Sequence, residues 1–478
     1  MTEPAENNNQ ENTPTPLEQV TYLLQKYKLV EGFVQDTSDE SLTESPVQKQ
    51  NLTELHDFLN QLHPADIAHI LEALPLEDRL LIWSMVKAER DGEVLLEASD
   101  AVRATLITDM GSQELVAATE YLNTDEIADL APDLPQEVID DVFRSLPIAE
   151  REQLRSAMSY PEDSVGALMD FNAITIREDV RLEVVLRYLR RLDEMPDHTD
   201  QLFVVDRDEQ LKGVLLINRL LVSDPDTLVV EVMAKEMIKL HPNDVAQQAA
   251  NAFERYDLVS ASVVDENDKL LGRVTVDTVI DFIRDKAESE ALNLAGLSKD
   301  EDLFAPVLKS VKNRWVWLAI NLVTAFIASR VIGFFEDSIE KLVALAALMP
   351  IIAGIGGNSG NQTITMIVRA LALDQISTRS TWKLIFKEIG VSAVNGLIWG
   401  TIVGLLTFAI YQSPQLGLVM GIAMVLNLLL AALLGVLIPL TLRNFGHDPA
   451  IGSSVMITAV TDSGGFFIFL SLATIFLL

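Results

Sequence analysis

The chain has 478 residues, more than one hydrophobic core accommodates, so two to four domains are expected. Its net charge of −34 is unevenly spread: residues 309–478 carry 10 basic and 7 acidic side chains, a net +3, which leaves −37 on the rest. An acidic soluble part repels nucleic acid and attracts cations, and the absence of cysteine excludes disulfides and thiolate metal centres and fits a cytosolic location for that part.

Residues 1–50 are predicted to be disordered or weakly ordered. Met1–Pro16 is Asn/Glu/Pro-rich and lacks the charged and apolar regions of a signal peptide. From 51 to 159 the pattern is helical. His63-Pro64 opens a helix with proline in its first turn, ending near Leu74-Pro75, and Ile127-Ala128 with Leu134-Pro135 repeats the pattern 60 positions on. The expectation is an all-α helical superhelix forming an N domain.

Two hairpins of β-rich segments follow. Leu202–Asp206, the polar turn Arg207–Gln210 and Leu211–Leu216 form one; Ser262–Asp265, Glu266–Lys269 and Leu270–Val274 form the other. This internal repeat, over 160–225 and 226–286, resembles a tandem pair of α/β CBS domains. Asp277 to Asp302 then reads as helical and acidic.

The last third is apolar. Five spans are expected in an α-helical membrane domain over 313–478: Trp315–Phe335, Leu342–Leu373, Leu384–Tyr411, Leu416–Leu442 and Ile451–Leu478. Lys309, Lys312, Arg314, Arg379, Lys383, Lys387 and Arg443 gather at one side, with only Arg330 and Lys341 at the other. The positive-inside rule therefore places the N-terminal domains in the cytoplasm, and an odd number of spans places the C-terminus outside.

Within the second span runs A-L-M-P-I-I-A-G-I-G-G-N-S-G-N-Q-T-I-T-M, from Ala347 to Met366. Lipid offers amides no partner, and each unsatisfied group costs several kcal/mol. On a helix Asn358, Asn361, Thr365 and Arg369 share one face, with Gln362 beside it. The glycines let another backbone approach, and Pro350 can bend the helix. Helix packing through small residues accounts for the glycines; it does not require two asparagines and a glutamine.

The last span holds Thr458-Ala459-Val460-Thr461-Asp462-Ser463-Gly464-Gly465. Asp462 is the one acidic residue well inside a predicted span, at an insertion cost of about 2.5–3.5 kcal/mol if ionised. Thr458 and Ser454 continue its stripe. A protonated structural aspartate is one account; a cation site in a pore is the other. Two copies across a dimer axis supply a charge of −2, which balances one divalent ion. Hard oxygen donors around a roomy site favour partly hydrated Mg2+ over Zn2+, with Ca2+, Mn2+ and Co2+ left open.

Pro350–Arg369 with G-G-N-S-G-N-Q, the terminal T-D-S-G-G, Tyr160–Gly166 (Y-P-E-D-S-V-G) and the CBS pair resemble the MgtE family of magnesium channels, over nearly the whole chain after Asn51. The resemblance implies a homodimer in the cell inner (plasma) membrane. A plug helix, at 287–312 here, joins the CBS pair to the pore. It also implies a path lined by the second and fifth spans, Mg2+ bound at Asp462, and closure by Mg2+ at cytosolic acids. Candidate pore-lining residues are Thr458, Asn358 and Asn361. Candidate sensor residues are Asp125 and Asp129, Asp257 and Asp281, and Asp285, Glu288 and Glu290; a solvated helix face is the plainer account of any one alone. The chain departs from the family at Val276-Asp277-Thr278-Val279, and Arg284, Lys286 and Ser289 dilute the acidic run. Gly213 and Gly272 are not followed by the ribose-binding aspartate of G-x-x-[S/T]-x-x-D, so ATP binding at the CBS pair is expected to be weak or absent. A proton- or sodium-coupled carrier and a membrane-anchored Mg2+ sensor that transports nothing are the alternatives. Nothing in the sequence assembles an enzyme: there is no Ser/His/Asp set, Walker loop or zinc-ligand spacing.

Overall fold

The computed structural model describes residues 14–35, 46–298, 301–373, 375–376 and 381–478. Arg379, counted above in the charge asymmetry, and residues 1–13 of the polar N-terminus lie outside them. The chain divides into two compact units, residues up to Arg284 with Asp302–Ala305, and Asp285–Glu301 with Pro306–Leu478.

The first unit begins with helix α1 (Pro16–Gln35), where the sequence predicts weak order; the rest of that prediction over 1–13 and 36–45 lies outside the described residues. Val20, Leu23 and Leu24 recur at helical spacing and bury against Leu55, Leu59, Ile67 and Leu71, which is why the segment folds. Short helices then follow one another to Ile148–Ala157. Pro64 occupies the first turn of Pro64–Glu72, and His63 Nδ1 accepts a hydrogen bond from the Ala65 amide. Pro75, Pro135 and Pro147 each stand at the N-cap of the next helix, so proline sets the rhythm of the superhelix. One of these helices, α2 (Thr124–Leu130), starts with Asn123 at its N-cap and Glu126 returning to the Asn123 amide.

Two three-stranded sheets follow, β1 (Thr175–Arg177), β2 (Gln201–Val205) and β3 (Leu211–Leu216), then β4 (Lys239–Leu240), β5 (Ser260–Val264) and β6 (Leu270–Thr275). In each, the first strand runs parallel to the second and the second antiparallel to the third. The copies agree in detail. Asp206 Oδ1 accepts from the Asp208 and Gln210 amides, and Asp265 Oδ1 from the Asn267 and Lys269 amides. Glu209 and Asp268 both take positive φ, and the register shifts between Val204 and Val205 as between Val263 and Val264. Phe203, Leu211, Val214 and Val264 share one apolar cluster across the two modules.

Helix α3 (Val276–Ala295) grows directly out of β6 and ends at Gly296, whose φ of +77° stops the helix. The helical stretch predicted at 287–312 is therefore split: its first part belongs to α3, and residues 307–312 belong to α4 (Val307–Phe334). After α4 come α5 (Ala344–Ala372), α6 (Thr381–Tyr411), α7 (Pro414–Asn444) and α8 (Ser453–Leu477). Among the described residues α4, α6, α7 and α8 are long and apolar enough to cross a membrane. Helix α5 has the length, 29 residues, but its Gly/Asn/Gln run lowers its apolarity. The five spans expected thus appear as five long helices, of which four qualify by composition. Leu345, Ile352, Met420, Ala423, Met424, Phe469 and Leu470 form the core where α5, α7 and α8 meet.

Candidate functional site

Helices α5 and α8 pack through small residues. A Cβ at Gly357 would lie 3.7 Å from Thr461 Oγ1, and one at Gly360 would lie 2.4 Å from Ile457 Cγ1. Rising numbers on α5 meet falling numbers on α8, so the two helices are antiparallel. Asn358 and Asp462, each one residue past the Gly357–Thr461 contact, therefore lie within one helical turn of each other in depth, about 3 Å apart along the axes, and Asn361 and Thr458 do the same past Gly360 and Ile457. The glycines do the packing that small residues predict: Gly356, Gly357 and Gly360 are buried. The polar residues do not join them. Asn358, Thr365 and Thr458 are exposed, and Asn361 and Asp462 are half-buried. Thr458 Oγ1 and Thr365 Oγ1 donate to carbonyls one turn back, of Ser454 at 2.9 Å and Asn361 at 2.9 Å. The two predicted constellations therefore form one oxygen-rich face that this chain does not fill with its own apolar side chains.

A second acidic site lies inside the first unit. Burial, with Asp170 next, pushes the Asp125 carboxyl up to about 8. Its Oδ1 is buried without a hydrogen-bond partner among the described residues. Burial likewise raises Asp129 to about 7, opposed by Arg103 and reinforced by Glu126 and Asp281. Asp129 keeps solvent contact at its surface, so its shift weighs less than that of Asp125. Arg103 is already engaged by Asp100 at 2.6 Å and Asp133 at 2.7 Å, which leaves little of its charge for Asp129. Glu126 is raised by burial and lowered by the Asn123 amide. Helix α2 thus presents Asp125, Glu126 and Asp129 to Asp170 and to Asp281 of α3. Arg273 Nε binds Asp170 Oδ2 at 2.8 Å and holds that carboxylate in place.

The other sensor candidates lie elsewhere. Asp257 takes φ of +51° as the C-cap of Ala246–Tyr256 and is exposed. Asp285 and Glu288 are exposed on α3. Glu290 is half-buried, and its carboxyl is raised by burial, lowered by Lys286 and raised by Asp448 of the α7–α8 connection. Among the described residues no three His, Cys, Asp or Glu side chains gather closely enough to form a ready metal cage. A divalent ion at α2 would be held by one or two carboxylates and by other oxygens, as Mg2+ tolerates. Asp170, Glu126 and Asp448 escaped sequence reasoning. Asp170 alone carried a signal, since it follows the Tyr160–Gly166 motif closely. In the CBS modules, Thr275 and Thr278 pair their hydroxyls at 3.0 Å, and Arg219 donates to the Val232 carbonyl at 3.3 Å, so these positions are occupied by internal bonds.

Three stretches match family models: the MgtE intracellular N domain over residues 62–163, the CBS domain over 165–224 and 229–285, and the divalent cation transporter MgtE over 349–472. The magnesium transporter MgtE of Thermus thermophilus is 31% identical over 439 residues, 90% of this chain and 97% of that protein. The magnesium transporter MgtE of Bacillus subtilis is 26% identical, over 89% of this chain and 94% of that protein. Solved structures that it resembles include the soluble part of a magnesium transporter, 22% identical over 57% of this chain and 99% of that chain (TM-score 0.46). Another is the cytosolic domain of the Mg2+ channel MgtE in complex with ATP, 26% identical over 54% and 99% (TM-score 0.45). With the N domain, CBS pair and transporter helices in one order, and a likeness to the Thermus protein along almost its whole length, the chain belongs to the MgtE family of divalent cation transporters.

Proposed function

We propose that the protein is a Mg2+-selective channel that imports Mg2+ across the cell inner membrane down its electrochemical gradient, and not an enzyme. It acts as a homodimer, with the N-terminal domains cytoplasmic and the C-terminus outside. The observation that carries this reading is the placing of Asn358 and Asp462 within one helical turn of each other on a face of α5 and α8 that their own chain leaves unfilled. Two such faces across a two-fold axis place two carboxylates and four amides around one ion. That donor set suits a dication still holding water. Lys309, Lys312 and Arg314 in the first two turns of α4 support the orientation.

Closure by cytosolic Mg2+ is assigned to Asp125, Asp129 and Asp281, joined by Asp170 and Glu126. The carboxyls repel one another, those of Asp125, Glu126 and Asp129 on α2 hold protons above the ordinary range, and a dication there replaces the proton and draws α2 toward α3. Asp285, Glu288 and Glu290, and with them Asp448, serve the same end nearer the membrane helices; Asp257 is the weakest member of the set. ATP, present in the relative's cytosolic domain, is expected to bind here weakly or not at all.

The test is Mg2+ flux into proteoliposomes carrying Asp462→Asn, with membrane insertion and dimerisation measured alongside. Flux is expected to fall at least tenfold. Parental Mg2+ flux through the neutral variant sinks the channel reading. Flux that also requires an opposing proton gradient moves the assignment to a coupled carrier.

A further inference from the structure

The polar face depends on a residue outside it. Asn427 lies midway along α7 in the run M-V-L-N-L-L-L, a single amide among apolar side chains. It is fully buried. Its Nδ2 donates to the Ile352 carbonyl of α5 at 3.0 Å, and its Oδ1 has no hydrogen-bond partner among the described residues. Two glycines make room for it. A Cβ at Gly356 would come within 2.2 Å of Nδ2, and one at Gly465 of α8 within 2.8 Å of the same atom. The amide is thus the meeting point of three helices.

Pro350 explains why α5 needs a tie at this depth. Proline has no amide hydrogen, so the Ala346 carbonyl loses its helical donor and α5 can bend at that point. Asn427 secures Ile352, just past the proline, to α7. Gly356 is two residues from Asn358, and Gly465 three from Asp462. An amide half-satisfied in an apolar interior costs stability against an aliphatic side chain of the same size. Packing alone gives no reason for an amide here.

We propose that Asn427 is a positioning residue for permeation: by tying Ile352 to α7 between Gly356 and Gly465, it fixes the level and spacing at which Asn358 and Asp462 face the passing ion. The inference rests on the reading that α5 and α8 line the path. Asn427→Leu keeps the branched shape and the number of heavy atoms and removes the amide. Gly356→Ala combined with Asn427→Ala refills the space without it. Full-length variants are compared in proteoliposomes for thermal midpoint, Mg2+ flux, apparent KM and Mg2+-over-Ca2+ flux ratio, with Asp462→Asn in parallel. Asn427→Leu is expected to unfold at or above the parental midpoint, yet lose at least tenfold in flux and shift the Mg2+/Ca2+ ratio at least fivefold. The double variant is expected to fold and stay equally deficient. Flux and ratio within twofold of the parent, in either folded variant, overturn the proposal while an impaired Asp462→Asn leaves the channel reading standing. Should Asn427→Leu not assemble, the double variant decides alone. An unimpaired Asp462→Asn overturns both.

Discussion

At the scale of single residues, the informative groups are carboxyls kept where water is scarce. Asp125 is pushed up to about 8 by burial and by Asp170, Asp129 to about 7 by burial, and Asp91 to about 7 by burial and Glu114. Each holds its proton more tightly in the folded chain than in the unfolded one. The stabilisation that this brings is complete below about pH 4, the ordinary carboxyl range, and is lost as pH rises through about 7–8. Without divalent ions, the soluble unit is therefore expected to melt lower at pH 8.5 than at pH 5.5. For Asp125 the loss is about 2 kcal/mol after allowance for its remaining solvent contact, or roughly 4–8 °C. Asp125→Asn has no proton to lose and should flatten that slope. Mg2+ should restore the alkaline midpoint of the parent and do little at pH 5.5, where protons hold the carboxyls. Calorimetry at the two pH values, with and without Mg2+, reads all three outcomes; a parental midpoint that does not fall between pH 5.5 and 8.5 contradicts the burial argument.

At the scale of elements, one contact ties distant parts of the first unit together. Arg79, in the short helix Leu76–Trp83, is fully buried. It binds Asp302 through two bonds, Nη1 to Oδ2 at 2.6 Å and Nη2 to Oδ1 at 3.1 Å, while Nε and Nη2 also donate to the Leu71 and Leu74 carbonyls. Asp302 Oδ1 accepts in turn from the Phe304 amide, five residues before α4 begins at Val307 counted from Asp302. Removing one partner of a buried pair leaves an uncompensated charge and costs about 3–5 kcal/mol. Arg79→Ala is expected to lower the stability of the soluble unit by that amount and to open the stretch around Asp302 to protease. Arg79→Met with Asp302→Leu should recover most of the loss, because no charge is left buried. A double variant no better than Arg79→Ala would assign the cost to packing instead. Sequence reasoning does not reach this pair, since 223 positions separate its members and nothing local marks them. It reaches the helix opened at Pro64, where proline fixes a first turn, the Leu-Pro breaks at Pro75 and Pro135, and the two hairpins, where an aspartate at the turn takes two amides. Helix α1 escaped because the polar residues before Pro16 dominate the reading, although Val20, Leu23 and Leu24 already stand at helical spacing. Asn427 escaped because one amide among leucines has no pattern; only the helices around it reveal what it holds.

At the scale of the whole molecule, an exposed polar face on apolar helices needs something to cover it. Asn358 and Thr458 are turned away from their own chain's core, and bilayer is the one surrounding that gives them no partner. A second copy across a two-fold axis resolves this, because each face then meets its equivalent and encloses a polar path. The sequence showed the polar groups and their helical spacing; it did not show that Asn358 and Asp462 lie within one turn of each other, which follows from Gly357 against Thr461. The cysteine-free chain offers a direct check. Thr458→Cys leaves Asp462 intact and puts a thiol on the proposed axis, whereas Met456→Cys puts an exposed one about 200° around α8. In membranes, a short bis-maleimide is expected to join two copies through residue 458 into a dimer on a denaturing gel, and to leave the 456 variant monomeric. Mg2+ at saturating concentration should slow the reaction at 458 by occupying the path beside Asp462. Equal yields at the two positions, or a dimer through 456 alone, would put the polar face against lipid or another helix and take the axis away from Asp462.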